Sequence, residues 1–163
     1  MRVEEVMTRP VAFCNPATNA AVAAEIMWNQ DCGSLPVAED GGRAVGIVTD
    51  RDLFIALGTT NRRAADIPVG EVMETELACC APEEDVRTAL TTMAKRKLHR
   101  LPVVDKSGIL KGIVSMNDIV LRAEGEAAGL TGDDVIRTMK AICEHQQRQD
   151  PGEPKPTARP AVA

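Results

Sequence analysis

Gly46-Ile47-Val48-Thr49-Asp50-Arg51-Asp52 recurs sixty-six residues later as Gly112-Ile113-Val114-Ser115-Met116-Asn117-Asp118. In both stretches a Gly opens a short β-branched run, which reads as a buried strand. The hydroxyl residue, Thr49 or Ser115, stands where the strand stops and a helix begins. Leu53, Phe54, Ile55 and Leu57 are the apolar residues of the first of these helices. A hydroxyl beside the free N–H groups of a helix start serves as an N-cap, and equally as a contact to an anion or a sugar. Asp52, taken alone, is a first-turn carboxylate that complements the helix dipole. Its return at Asp118, with Gly, Ile, Val and a hydroxyl in place, gives the motif weight beyond capping.

Repeats of this length organise whole folds. Shifted by sixty-six, residues 3–57 align with 69–123 without a gap. Val3-Glu4-Glu5-Val6-Met7 meets Val69-Gly70-Glu71-Val72-Met73, Cys14-Asn15-Pro16 meets Cys80-Ala81-Pro82, and Leu35-Pro36-Val37 meets Leu101-Pro102-Val103. Each copy reads as a lead-in turn, a brief strand (Val11–Phe13 or Leu77–Cys79) and a helix (Asn19–Gln30 or Asp85–Lys97). A hairpin and a closing helix ending near Leu57 or Ala123 complete it. Pro16 and Pro82 end the brief strand, because proline cannot donate to a ladder. Val86, Leu90, Met93 and Ala94 mark the buried face of the second helix, and Ala20, Ala24 and Met27 that of the first. The turns at Asp40-Gly41-Gly42 and Asp105-Lys106-Ser107-Gly108 predict hairpins.

The expected fold is therefore α+β, a duplicated β-α-β-β-α unit (repeat 1 over 1–57, repeat 2 over 69–123) joined by a loop over 58–68. A unit of this size buries little surface alone, so the copies are expected to pack as a pseudo-twofold pair. A C-terminal extension over 124–149 carries one more helix, capped at Thr131 or Asp133. Its stripe is Val135, Met139 and Ile142, with Ile136 and Cys143 beside it, placed to cover the core or meet another chain. The Pro-rich stretch 150–163 is expected to be a flexible tail, dispensable for ligand binding.

Composition narrows the function classes. The aromatic residues are Trp28, Phe13 and Phe54, with no Tyr, which argues against a stacking platform for single strands. A net charge of −5 argues against coating a duplex, so no nucleic-acid partner is expected. No apolar run has the length of a signal peptide or membrane span. Five scattered cysteines suit reduced thiols in a cytoplasmic protein. They read as small core residues, since the chain has only His99 and His145 and lacks the paired spacing of a zinc site. Cys143-Glu144-His145 lies on a helix, where neighbours in sequence point apart. With no nucleophile–base pair in view, an enzyme is not expected.

The repeat, the lead-in Val-Met, the Leu-Pro-Val and the Gly-Ile-Val-Thr/Ser-x-x-Asp together resemble a tandem pair of CBS domains, a Bateman module, over about residues 1–123. The resemblance implies that adenosine-containing ligands (AMP, ADP, ATP or S-adenosylmethionine) bind in two clefts between the copies as regulatory ligands, with no required cofactor. It also implies a disc-shaped homodimer, met through helix residues such as Leu53, Phe54, Ile119 and Leu121, and an unidentified regulated protein. Asp52 and Asp118 would each accept from a ribose diol. Thr49, Asp50 and Ser115 would sit at the helix starts. Leu77 and Ala78 would border adenine beside Asp52, and Val11 and Ala12 beside Asp118. The Leu-Pro regions, with Ser34 and Pro36 in one copy and His99, Arg100 and Pro102 in the other, would complete the clefts. His99 and Arg100 are similar to a pattern in AMP-binding gamma subunits of a kinase. Because family clefts combine the Asp of one copy with the Leu-Pro region of the other, these two are expected to serve the Asp52 cleft. A ligand-free structural or interaction module is the alternative.

Overall fold

The computed structural model describes residues 1–122 and 130–144. Helix α1 (Ala20–Asn29) is followed by strands β1 (Ser34–Ala38) and β2 (Ala44–Thr49) and helix α2 (Asp50–Thr60). The second repeat follows suit with α3 (Val86–Arg96), β3 (Arg100–Val104), β4 (Leu110–Ser115) and α4 (Met116–Arg122), and α5 (Gly132–Cys143) comes last. Ala123, His145 and the tail over 150–163 lie outside the described residues.

The local reasons for these elements are the ones the sequence offers. Asn19 and Asp85 cap α1 and α3 by accepting from the amides of Val22 and Arg87. Thr49 caps α2 with Asp52 in a reciprocal capping box, and Thr131 does the same for α5 with Asp134. The Thr131 amide and hydroxyl hold the Asp134 carboxyl below its usual value. That cap is therefore fully formed above the ordinary carboxylate range and is lost as pH falls through the lowered value.

Each hairpin pairs in the same register, Ser34 with Thr49 through Val37 with Gly46, and Arg100 with Ser115 through Val103 with Gly112. The brief first strand of each copy is corrected to a single residue. Only Cys14 and Cys80 bridge, in parallel, to Val37 and Val103. Pro16 and Pro82 turn the chain toward the next helix before a second pair can form. The predicted inner face of α1 shifts by one: Ala20, Ala23 and Met27 are buried, and Ala24 is exposed. Its counterpart Leu90 is buried, because α5 lies across α3 and nothing equivalent crosses α1 among the described residues.

The two copies exchange their lead-ins. Val3, Val6 and Met7 belong to the core of the second repeat, whereas Ile67 and Val69 belong to that of the first, with Val72 and Met73 packed against it. Val3 donates its amide to Glu84 O at 2.9 Å, and Val69 donates to Thr18 O at 2.7 Å. Thr8 and Ile113 exchange backbone hydrogen bonds at 2.8 and 3.2 Å, and Glu74 and Ile47 do so at 2.8 and 3.0 Å. A Cβ at Gly112 would stand 2.8 Å from Thr8 O, and one at Gly46 would stand 2.8 Å from Glu74 O. Only glycine permits these approaches. Ile67, in the stretch expected to be a plain connecting loop, is 1% exposed.

The pseudo-twofold axis is fixed at both ends of the hairpins. Ala44 N donates to Gly108 O at 3.0 Å and Leu110 N to Gly42 O at 2.9 Å. At the far end Arg100 Nη1 donates to Ser34 Oγ at 2.9 Å. α5 settles on the second repeat with Val135, Thr138 and Ile142 buried and Met139 packed beside them, leaving Ile136 and Cys143 exposed. Of the two roles open to its stripe, covering the core is the one the fold uses.

Candidate functional site

Between the copies lies a cleft of about 530 Å³ whose lining includes Thr8, Val11, Ala12, Gly33, Ser34, His99, Arg100, Ser115 and Asp118. The hairpin register delivers Ser115 to the end of β4, and α4 starts at the next residue with Asp118 in its first turn. Asp118 Oδ2 accepts from the Ser115 amide at 2.8 Å and from the Ser115 hydroxyl. Its Oδ1 accepts from the Thr8 hydroxyl at 3.0 Å, across the exchanged lead-in. A carboxylate offers about four lone-pair positions, so hydrogen-bonding capacity remains, and the Thr8 bond can be traded for a ligand hydroxyl. Val11 and Ala12 add half-buried backbone and small side chains on the facing side.

His99 and Arg100 line this cleft together with Gly33 and Ser34, the residues that match them in the first repeat. The cause is the hairpin. Arg100 pairs with Ser115, and His99 O accepts the Met116 amide at 2.9 Å. The residues just before β3 are thereby held against the helix start of their own repeat. Arg100 gives one of its N–H groups to Ser34, at the axis between the repeats. Pro36 and Pro102 do not line the cleft. Both are buried, and their carbonyls accept from Cys14 and Cys80 at 3.1 Å.

On the Asp52 side the capping geometry is the same. Asp52 Oδ2 accepts from Thr49 N at 3.0 Å and from Thr49 Oγ1 at 2.7 Å. The sixty-six-residue relation sets Leu77 and Ala78, both half-buried, where Val11 and Ala12 stand on the other side. The neighbours differ in charge. Glu74 holds the place of Thr8, and Asp50, whose amide donates to Gly33 O at 3.1 Å, holds that of Met116. The Asp118 side thus carries the Thr8 hydroxyl and Asn117 where the equivalent positions on the Asp52 side are Glu74 and Arg51. The Arg100 guanidinium on the Asp118 side attracts a phosphate group.

Thr8, Gly33, Asn117 and Met139 also line the Asp118 cleft, and sequence reasoning does not single them out. Thr8 aligns with Glu74, so the repeat offers no shared residue type to notice, and Met139 has no repeat partner at all. The cysteines behave as core residues. Burial pushes the Cys14 thiol up to about 11 and that of Cys80 up to about 12, which keeps both protonated at neutral pH. Among the described residues no three His, Cys, Asp or Glu side chains gather as metal ligands. No helix among them is long and apolar enough to cross a membrane.

The family model of the CBS domain matches this chain twice, over residues 3–59 and 69–125. The chain belongs to the CBS-domain family. This CBS pair is 38% identical over 129 residues to the CBS domain-containing protein YhcV of Bacillus subtilis, covering 78% of the chain and 89% of that relative. It is 35% identical over 123 residues to an inosine-5'-monophosphate dehydrogenase of Thermoplasma acidophilum, but spans only 23% of that enzyme. Among solved structures, the CBS domain pair of protein MJ0100, in complex with 5'-methylthioadenosine and S-adenosyl-L-methionine, superimposes with a TM-score of 0.70 at 25% identity. The match covers 77% of this chain and 98% of that one. CBSX2 in complex with AMP superimposes with a TM-score of 0.65 at 28% identity, covering 75% and 95%.

Proposed function

We propose that this CBS pair is a sensor that binds an adenosine-containing ligand between its repeats and passes occupancy to a partner protein, without catalysing a reaction. The observation that carries the reading is the Asp118 carboxylate in a cleft with His99 and Arg100. The acid is placed to accept from a ribose diol, and the two basic side chains to meet a phosphate. The ligands bound by MJ0100 and CBSX2 support the same chemistry. Asp52, Thr49, Asp50, Leu77 and Ala78 form the second site. Five free thiols suit a reducing, cytoplasmic setting.

Calorimetry with AMP, ADP, ATP, adenosine and S-adenosylmethionine tests this. AMP is expected to bind more tightly than adenosine, and Arg100→Ala is expected to weaken AMP by about tenfold or more while barely affecting adenosine. The figure follows from about 1.5–3 kcal/mol for a hydrogen bond to a charged group. Silence with every ligand would leave the structural interaction module as the better reading.

That second reading has its own support in the exposed apolar residues. Phe54 is 76% and Leu121 78% exposed. Leu53 and Ile119, also expected at a dimer face, are instead core residues at 4% and 0%. Whether or not a ligand binds, a homodimer through the outer faces of α2 and α4 would cover Phe54 and Leu121. Light scattering at tens of micromolar is expected to give twice the monomer mass for an interface of ordinary size. Phe54→Ser with Leu121→Ser should return it to the monomer.

A further inference from the structure

The two clefts differ in one wall. Met139 of α5 lines the Asp118 cleft, and the first repeat has no helix equivalent to α5 among the described residues. α5 rests on α3 and α4, and these helices deliver the cleft's polar residues. α3 is capped by Lys97, which turns in the left-handed conformation (φ 56°) two residues before His99, and α4 carries Asp118. The far end of α5 is tied to the same junction, because Lys97 Nζ donates to the Glu144 carbonyl. One helix thus touches the cleft itself, the helix bearing its acid and the corner that sets its basic residues.

We propose that α5 reads occupancy of the Asp118 cleft: a ligand seated there gains its contact with Met139 only while α5 is docked, so binding and docking stabilise each other. The inference rests on the adenosine-ligand reading above. A helix of this length is marginal in water by itself, so leaving the core and losing helical structure are one event for α5. A ligand shifts such an equilibrium only through contacts that differ between its two states, and Met139 supplies that difference. By reciprocity, whatever displaces α5 weakens the ligand by the same factor. The Asp52 cleft lacks this wall, so its occupancy leaves α5 unchanged. A nearly symmetric pair of sites thereby becomes one reporting site and one silent one.

Hydrogen exchange of the full chain, with and without AMP and with calorimetry on the same samples, tests the coupling. Amides of 132–143 are expected to exchange several-fold more slowly when AMP is saturating, the same factor by which undocking of α5 weakens AMP. Asp118→Ala should abolish that slowing, and Asp52→Ala should keep it. Met139→Ala should weaken AMP several-fold and remove the slowing, and Met139→Leu should restore both. AMP that binds by calorimetry yet leaves α5 exchange unchanged overturns the coupling and leaves the nucleotide reading standing. Met139→Ala that loosens α5 without ligand but keeps full AMP affinity also overturns it. If AMP does not bind at all, this inference and the AMP site fall together, and calorimetry reports that directly.

Discussion

Gly112→Ala is expected to destabilise the fold by about 1–3 kcal/mol, the usual cost of forcing a methyl group into packed surroundings. The added Cβ would meet Thr8 O at 2.8 Å and Met7 Sδ at 2.9 Å. Met7 has rotamers to try, but Thr8 O is backbone, held in a two-bond exchange with Ile113. Relief therefore requires the whole lead-in to move, and Val3, Val6 and Met7 leave the second core with it. Gly58→Ala is the control. Gly58 lies inside α2 with nothing within 4 Å of where an added methyl would stand, so alanine there should stabilise the helix by about 0.8–1 kcal/mol. Thermal and urea unfolding of the two variants should move in opposite directions. A Gly112→Ala protein as stable as its parent would mean that the lead-in does not hold the position described. The same variant should lose AMP affinity, because Thr8 is carried away from Asp118.

Asp118→Ala is expected to weaken AMP by ~100-fold or more, and Asp52→Ala to leave the tight AMP site nearly intact. Two ribose hydroxyls on one carboxylate contribute about 1.5–3 kcal/mol each, and alanine removes both. The substitution also opens the capping box with Ser115, at a cost of about 1 kcal/mol, so circular dichroism must show the variant folded at the titration temperature. Asp118→Asn keeps the shape and one acceptor oxygen, and should fall between the parent and the alanine variant. This ordering reverses the one that the sequence alone suggests, in which His99 and Arg100 serve the Asp52 side. A tight site lost in Asp52→Ala and kept in Asp118→Ala would return the two basic residues to Asp52.

Part of this arrangement can be read from the chain and part cannot. Gly, Pro and Asp recurring in register reveal the duplication, and the caps at Asn19, Asp85 and Thr131 mark helix starts to within a residue. The pairing of Arg100 with Ser115 is also within reach, since the turn at Gly108 sets the hairpin register, and it puts His99 beside Asp118. The lead-in exchange is hidden for a physical reason. Val3, Val6 and Met7 precede one repeat just as their equivalents precede the other, so the pattern is the same whichever core they enter. Ala24 and Leu90 diverge in burial through α5, an element outside the repeat, and no comparison of the two copies contains it. Met139 is legible as a stripe residue, but its place in the cleft is hidden for the same reason.

The exchanged lead-ins also bear on the order in which the chain is made. The lead-in at residues 3–8 is made well before the rest of the core it joins, for Thr8 waits for Ile113 and Asp118. The first repeat, by contrast, is complete once Ile67–Met73 has been synthesised. Closing the second core then recruits a segment roughly a hundred residues upstream, the sort of distant contact that slows folding. Until then Val3, Val6 and Met7 stay exposed on a nascent chain, and a bulky fusion placed before Met1, whose carbonyl accepts the Val86 amide at 3.0 Å, would burden the last step of assembly rather than the first.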